Sequence, residues 1–312
     1  MPVTACPGYG WNVVAAAAAN SQLAGVLAGF VFTGIVFLFQ GSGLRNVQAI
    51  TLLSSAFVVL AFDSYLYGVV VGGESDTTCV RVWSESMPAG GMLSVGGAAV
   101  VTGLCRLAAT YADQDDERSN AQFERAALHL HRLSRLLVYG VTVAVALLLV
   151  SATSGFLAEA FKGHPPTWLS VSIYAVPVAV GTAVGVLEAH QKRRRQRRAG
   201  VELPFSMSLS IVSFAMVAYA ILGSTLAGVL TVLPDSQWGL PLSPWLLALG
   251  LLFGLVLPGA LLVMLTLAGP RRPVTADKSS VPGQRNPSGA AGDSRSESAN
   301  GPVGAGNGSS AE

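Results

Sequence analysis

Residues 49–71 read AITLLSSAFVVLAFDSYLYGVVV and contain a single charged side chain, Asp63. A helix needs roughly 20 mostly apolar residues to cross a bilayer, and this stretch meets that requirement. Six other stretches have the same character, so the predicted spans are 22–40, 49–71, 91–109, 136–158, 168–187, 205–230 and 244–268. We therefore predict an all-α membrane protein, a bundle of seven transmembrane helices over residues 21–268.

The overall composition supports a membrane protein. Only 12% of the residues are charged and 51% are hydrophobic, whereas a soluble domain carries about 25% charged residues. That deficit is too large for a water-exposed surface. Binding to nucleic acid requires a basic face on a soluble module, and the chain has no soluble module of useful size. We therefore expect no nucleic-acid partner.

The segments on either side of the predicted bundle are polar. Residues 1–20 hold no Asp, Glu, Lys or Arg and are predicted to form a short extracytoplasmic arm, in which the alanine run 15–19 can extend the first helix outward. A cleaved signal peptide needs a positively charged start, so none is expected. Residues 269–312 are rich in Gly, Pro, Ser and Asn. They cannot bury enough apolar surface to offset chain entropy, which predicts a disordered cytoplasmic tail.

Basic residues alternate along the connections between the predicted spans. The first, third and fifth connections and the start of the tail are basic, whereas the other connections hold only Arg81 and Lys162. Because Lys and Arg near span ends favour the cytoplasmic side, the N-terminus is predicted outside and the C-terminus in the cytoplasm. This orientation requires an odd number of spans, and we expect the protein in the cell membrane.

The strongest basic cluster follows the fifth predicted span. A stop at the cytoplasmic face explains it fully, and it can also attract anionic lipid headgroups by about 1 kcal/mol per residue. Anionic lipids on the cytoplasmic side are therefore an expected partner of this cluster, which consists of Lys192, Arg193, Arg194, Arg195, Arg197 and Arg198.

Asp63 is the one acidic residue well inside a predicted span. An ionised aspartate at mid-membrane costs about 2.5–3.5 kcal/mol on insertion scales, and Tyr67 lies four residues on, on the same helix face. One interpretation is a cation or proton site. The other is an aspartate that hydrogen-bonds a neighbouring helix, and this structural role is slightly favoured because polar side chains in membranes commonly serve packing. The polar side chains available to meet Asp63 are Gln22, Tyr67, Arg106, Tyr174 and Tyr219.

The predicted topology places two of the three cysteines where they can form a disulfide bridge. Cys6 and Cys79 both fall on the predicted outer side, where disulfides persist, and a bridge between them and two free thiols are equally compatible with the sequence. Cys105 is predicted to be a buried free thiol.

Glycines at Gly-x-x-x-Gly spacing let two helices approach closely. We prefer internal packing as the interpretation of this pattern, with self-association as the alternative. The pattern occurs at Gly25/Gly29, Gly181/Gly185 and Gly250/Gly254.

Several functions are excluded by missing residues. The predicted spans contain no histidine for bis-histidine haem and no lysine for a retinal Schiff base, and the chain has no HExxH, GxSxG or P-loop motif. We expect no metal and no cofactor. The leading prediction is a non-enzymatic scaffold, sensor or accessory subunit, alone or with a membrane partner or further copies. The alternative is a small cation- or proton-coupled transporter or channel that uses Asp63.

Overall fold

The part of the chain that the structure describes is almost entirely helical. In the computed structural model, the described residues are 7–8, 11–41, 47–72, 79–115, 121–197, 206–238 and 242–268. The helices are α1 Val13–Gly41, α2 Val47–Gly72, α3 Cys79–Asp115, α4 Ala121–Ala160, α5 Thr167–Arg197, α6 Ser206–Val232, α7 Pro244–Leu251 and α8 Leu257–Leu267, with a 3₁₀ turn at Asp235–Trp238. A π-helical turn, Leu252–Val256, joins α7 to α8 without a break. Together these three segments form one rod.

Six rods in the described part of the chain are long and apolar enough to cross a membrane: α1, α2, α3, α4, α6 and the α7–α8 rod. These coincide with six of the seven predicted spans, so the prediction of a multi-pass helical membrane protein is confirmed. The described apolar part of α5 covers only Thr167–Ala179. The seventh span therefore stays a prediction.

Helix α1 begins within the segment predicted as an arm. Two short strands, β1 Pro7–Gly8 and β2 Trp11–Asn12, pair antiparallel just before it. The Asn12 side chain then accepts hydrogen bonds from the backbone N–H groups of Val14 and Ala15, at 3.0 and 3.3 Å. This is N-capping, which satisfies donors that have no partner within the first turn. Residues 13–20 thus belong to α1.

Helix α3 begins at Cys79 instead of Gly91, so the third span takes in two further charged residues, Arg81 and Glu85. Arg81 Nε donates to Glu85 Oε1 at 3.0 Å, one turn along the helix, and Arg81 Nη2 donates to the Thr231 carbonyl of α6 at 2.6 Å. Each charge therefore has an opposite charge beside it. The pairing explains how this segment continues the helix although its sequence is too polar to predict a span.

The glycine- and alanine-rich helix α3 is the centre of the bundle. It packs against α1, α2, α4, α6, α7 and α8. An added Cβ atom at Gly96 would lie 2.8 Å from Leu60, and one at Gly103 would lie 2.8 Å from Leu53, so α2 approaches α3 closely. A helix surrounded by other helices needs small residues more than lipid-facing apolar ones.

Helix α5 lies at the periphery, against α4 and α8. Its Trp168, Val171 and Val178 side chains are exposed, as expected of side chains that face lipid. Gly181 and Gly185 also have open space above them, whereas Gly250 packs against the Phe156 ring and Gly254 against Met87. Internal packing thus accounts for the Gly-x-x-x-Gly pair of the α7–α8 rod.

Arg106 of α3 joins three helices at the end of the bundle where α2 begins and α8 ends. Its Nε donates to the Ala268 carbonyl at 2.7 Å, its Nη2 donates to the same carbonyl, and its Nη1 donates to Gln48 Oε1 at 3.2 Å. Carbonyls at the C-terminus of a helix lack intrahelical hydrogen-bond donors. The Arg106 guanidinium supplies such donors at the end of α8. This contact links α2, α3 and α8.

Candidate functional site

Asp63 lies on the inward face of α2. The buried positions of α2 recur at helical spacing, with Ala56, Leu60 and Tyr67 on the same face as Asp63. The surface of Asp63 is 0% exposed. The 3.6-residue period that buries the apolar face of α2 therefore also places the carboxyl group in the centre of the protein.

The carboxyl group of Asp63 has no hydrogen bond to any described residue. Both Oδ1 and Oδ2 are buried without a partner. A buried polar group normally has a hydrogen bond, because leaving one unmade costs about 1–3 kcal/mol. The structural interpretation requires a bond from Asp63 to a neighbouring helix, and the described residues supply none.

Two buried tyrosines flank Asp63. Tyr67 lies one turn further along α2, and Tyr219 reaches inward from α6; both phenols lie close enough to the carboxyl group to interact with it electrostatically. Tyr67 also interacts with the side chain of Asn20 on α1. Two phenol groups thus lie near the acid, although neither donates a hydrogen bond to it.

Tyr219 also reaches a distorted turn of the α7–α8 rod. In the π-helical turn the Leu257 N–H bonds the Leu252 carbonyl, and residue 258 is a proline without an N–H group. The Phe253 carbonyl is thereby left without its regular helical donor. Tyr219 Oη donates to this carbonyl at 2.7 Å, and the two rings stack with centroids 6.1 Å apart. Single π-helical turns occur frequently at functional sites.

Gly91 makes this junction of α3, α6 and the α7–α8 rod possible. A Cβ atom there would overlap Tyr219 Oη and would lie 2.8 Å from Pro258 Cγ and 2.9 Å from the Phe253 carbonyl oxygen. Two of these three neighbours are a backbone atom and a proline ring, which have little freedom to move. Only glycine leaves the room that the Tyr219 hydroxyl occupies.

Two small cavities lie near the tyrosines. One, of about 40 Å³, is lined by Asn20, Tyr67, Ser86 and Gly90, among others. A cavity needs about 10–15 Å³ to hold a water molecule, so this one is large enough for water. The other, of about 130 Å³, is lined by Glu85, Ser224 and other residues of α2, α3 and α6. Asp63 lines neither cavity, so its carboxyl group is closed off in this conformation.

The structure brings two of the five polar side chains proposed from the sequence to the buried acid: Tyr67 and Tyr219. The other three lie elsewhere. Gln22 and Tyr174 are on the exposed surface, and Arg106 is at the end of α8, where it bonds the Ala268 carbonyl. How far each of these side chains lies from Asp63 thus depends on how the helices are rotated against one another. This rotation cannot be read from a single sequence.

Sequence reasoning missed two polar residues around this site. Asn20 was assigned to the N-terminal arm, although the alanine run beside it favours helix. Glu85 was placed in a loop; it lies further out on α3 than Gly90, which faces Tyr67, so it does not join Asp63. The sequence feature that indicates a helical position for Glu85 is Arg81, which lies one turn earlier. This spacing allows an ion pair on a helix.

The other predicted sites fall partly outside the described residues. Cys105 is free and buried. Cys79 begins α3 and is half-buried, but Cys6 lies outside the described residues, so the bridge stays a prediction. The backbone of α5 extends to Arg197, while the side chains of the basic cluster and residues 269–312 lie outside the described part.

Comparison with known proteins does not assign the chain to a family or to a function. The chain matches no protein family, no curated protein and no solved structure. Within the described residues, no three His, Cys, Asp or Glu side chains are close enough together to hold a metal ion. A function must therefore be argued from the surroundings of Asp63.

Proposed function

We propose that this protein is a multi-pass protein of the cell membrane that binds a proton at Asp63 and couples this binding to transport. The observation that supports the proposal is a fully buried carboxyl group whose two oxygens have no partner among the described residues. An ionised carboxylate in such surroundings is strongly disfavoured. A proton neutralises it and needs a single oxygen atom.

A proton fits this site better than a metal cation. Hard cations such as Ca²⁺ take about 6–8 oxygen ligands, whereas the described titratable groups that interact electrostatically with Asp63 are two phenols. The cavities also fit small species. At about 40 and 130 Å³, they are smaller than the roughly 300–1,000 Å³ of typical organic-ligand sites.

The second candidate is a non-enzymatic scaffold, sensor or accessory subunit. It is favoured by one observation: neither cavity extends to Asp63, so this conformation has no open path for a transported species. In a sensor, protonation of Asp63 would change helix packing without any flux. Both candidates give Asp63 the same chemistry and differ in whether protons cross the membrane.

The proposed topology has seven spans, with the N-terminus outside and the C-terminus in the cytoplasm. Support comes from α5, whose 31 residues extend about 46 Å at 1.5 Å per residue. If α5 did not cross, the basic cluster and the pair Arg271 and Arg272 would all lie outside. That arrangement opposes the positive-inside rule, whereas a crossing α5 places them in the cytoplasm, where the cluster would contact anionic lipids.

Reporter fusions test whether α5 crosses the membrane. A reporter that is active only outside the cytoplasm should be active after His164 and after Pro234. A reporter that requires the cytoplasm should be active after Arg198 and after Pro270. Fusions after His164 and Arg198 that report the same side would show that α5 does not cross, and the seven-span topology would then be wrong.

Proton flux tests the proposed activity. Purified protein is reconstituted into vesicles that contain a pH-sensitive dye, and an imposed pH gradient is followed. The wild-type chain is expected to dissipate the gradient, and Asp63→Asn, which keeps the shape but cannot exchange a proton, is expected to fall to the rate of protein-free vesicles. The matched control is Thr51→Val, an exposed position on the same helix, which should keep the wild-type rate. A wild-type rate equal to that of empty vesicles would reject transport and leave the sensor or scaffold role.

A further inference from the structure

We propose that Asp63 exchanges its proton with the side of the membrane that bears the N-terminus, through the 40 Å³ cavity, and that Tyr67 is the gate between the two. This inference rests on the proposed proton site at Asp63. It adds the side from which the proton arrives and the residue that controls access.

The walls of the cavity lie at one end of the bundle. Val13 and Ala17 belong to the first turns of α1, Ser86 lies early in α3, and Ala152 lies near the end of α4. The start of α1, the start of α3 and the end of α4 are all on the N-terminal side, because consecutive spans run in opposite directions. In the proposed topology this side is extracytoplasmic.

The cavity is polar enough to hold water. Its lining includes three residues with polar side chains, Asn20, Tyr67 and Ser86. A buried water needs about two to four polar partners, which these groups can supply. The walls are otherwise small residues and apolar side chains, so water is held where the polar groups are, next to Tyr67.

Tyr67 belongs both to the cavity wall and to the surroundings of Asp63. It lies four residues beyond Asp63, about 6 Å along the helix, and on the same face. Side chains of a helix lean towards its N-terminus, so the ring of Tyr67 leans back towards the turn that holds Asp63. Its own surface is only 5% exposed, so the buried ring separates the cavity from the carboxyl group.

Asp63 is closed by apolar packing on its other side. Towards the cytoplasm, Val59 and Leu60 of α2, Val95 of α3 and Met216 of α6 are all 0% exposed. An added Cβ atom at Gly96 would lie only 2.8 Å from Leu60, which shows how closely these helices pack. A water molecule in the cavity therefore meets Tyr67 on the outer side of Asp63, whereas several packed apolar layers lie on the inner side.

The transfer step is simple. When the Tyr67 ring swings aside, cavity water reaches the carboxylate. A hydronium ion then gives its proton to one Asp63 oxygen: an O–H bond of hydronium breaks, the carboxylic O–H bond forms, and neutral water remains. When the ring returns, the protonated acid is again closed off, as in this structure.

Hydrogen–deuterium exchange of the Asp63 carboxyl group tests the gate. The infrared C=O band of the protonated acid, assigned by its loss in Asp63→Asn, shifts on deuteration, and its exchange rate is measured after transfer into D₂O. We expect Tyr67→Ala to raise the rate at least tenfold and Tyr67→Phe, which keeps the ring, to stay within about twofold of wild type. The matched control is Leu60→Ala, a large-to-small change one turn inward, which should also stay within about twofold.

The outcomes separate this inference from the proposed function. Equal acceleration by Tyr67→Ala and Leu60→Ala, or a larger effect of Leu60→Ala, would overturn the gate. If wild type lacks the Asp63 band at every pH, the proton site itself is wrong and the gate falls with it. If flux is absent but exchange is faster only in Tyr67→Ala, transport is wrong and the outer access path stands.

A second measurement covers the case in which Tyr67→Ala does not fold. Ser86→Cys places a thiol in the cavity with little change of shape, and Val95→Cys places one on the same helix beyond Asp63. Hydrogen peroxide, which is little larger than water and oxidises accessible thiols, is added to folded protein and should modify only the first of these positions, as located by peptide mass mapping. Modification of Val95→Cys at an equal or higher rate would show access from the cytoplasmic side and contradict the proposal.

Discussion

Replacing Gly91 with alanine is expected to destabilise the folded bundle by about 1–3 kcal/mol, the usual range for an added group in a well-packed core. The new methyl group would overlap the Tyr219 hydroxyl and approach both Pro258 and the Phe253 carbonyl. At least one of these must move, and the Tyr219–Phe253 hydrogen bond is the contact that yields. The measurement is the unfolding midpoint in mixed micelles during a denaturing-detergent titration.

Gly97→Ala is the matched control for this prediction. It makes the same change two turns along the same helix, where an added Cβ atom has no neighbour within 4 Å. Because alanine is a better helix former than glycine, Gly97→Ala should be neutral or slightly stabilising. If the two variants unfolded at the same midpoint, the close junction of α3, α6 and the α7–α8 rod would not exist in the protein.

Replacing Asp63 with alanine is expected to stabilise the bundle, although the same change should abolish proton flux. The carboxyl group has no hydrogen-bond partner among the described residues, so its removal leaves no described group unpaired. It also relieves the penalty for a buried unsatisfied group, about 1–3 kcal/mol. Functional sites often hold groups that lower stability, and alanine avoids the overpacking that a larger apolar residue would cause.

Ser64→Ala provides the contrast at the neighbouring position. The Ser64 hydroxyl donates to the Ser21 carbonyl at 2.9 Å, and Ser21 returns the bond to the Ser64 carbonyl at 2.8 Å. Loss of one of these bonds between α1 and α2 should lower the unfolding midpoint, by about 0.6 kcal/mol for an average polar contact within a membrane. A larger loss in Asp63→Ala than in Ser64→Ala would establish a structural role for the acid and remove the main support for a proton site.

The sequence predicts the class of fold well because lipid imposes a simple rule on it. A span must be long and apolar, and six such rods are present in the described residues. The rule fails at the start of α3, since Arg81 and Glu85 neutralise each other at a spacing that a hydropathy average does not register. The rule also does not predict that α3, the least apolar span, lies at the centre of the bundle. Helix α3 can lie there because its glycines let neighbouring helices approach closely.

The candidate site is predictable only in part. Asp63 and Tyr67 are found from the sequence because their spacing is fixed by one helix. Tyr219 is one of several polar residues on other spans, and its approach depends on how α6 is rotated against α2. The Phe253 carbonyl accepts from Tyr219 because Pro258 and the π-helical turn together leave it without a helical donor. Only the proline is visible in the sequence.

The protonation state of Asp63 decides whether this protein holds a proton in its core. The measurement is the infrared difference spectrum between wild type and Asp63→Asn in lipid at neutral pH. We predict that wild type shows the C=O stretch of a carboxylic acid and that the band is absent from Asp63→Asn, because the buried group has neither a partner among the described residues nor exposure to water. Carboxylate stretching bands in place of the acid band would show an ionised Asp63 and contradict the account.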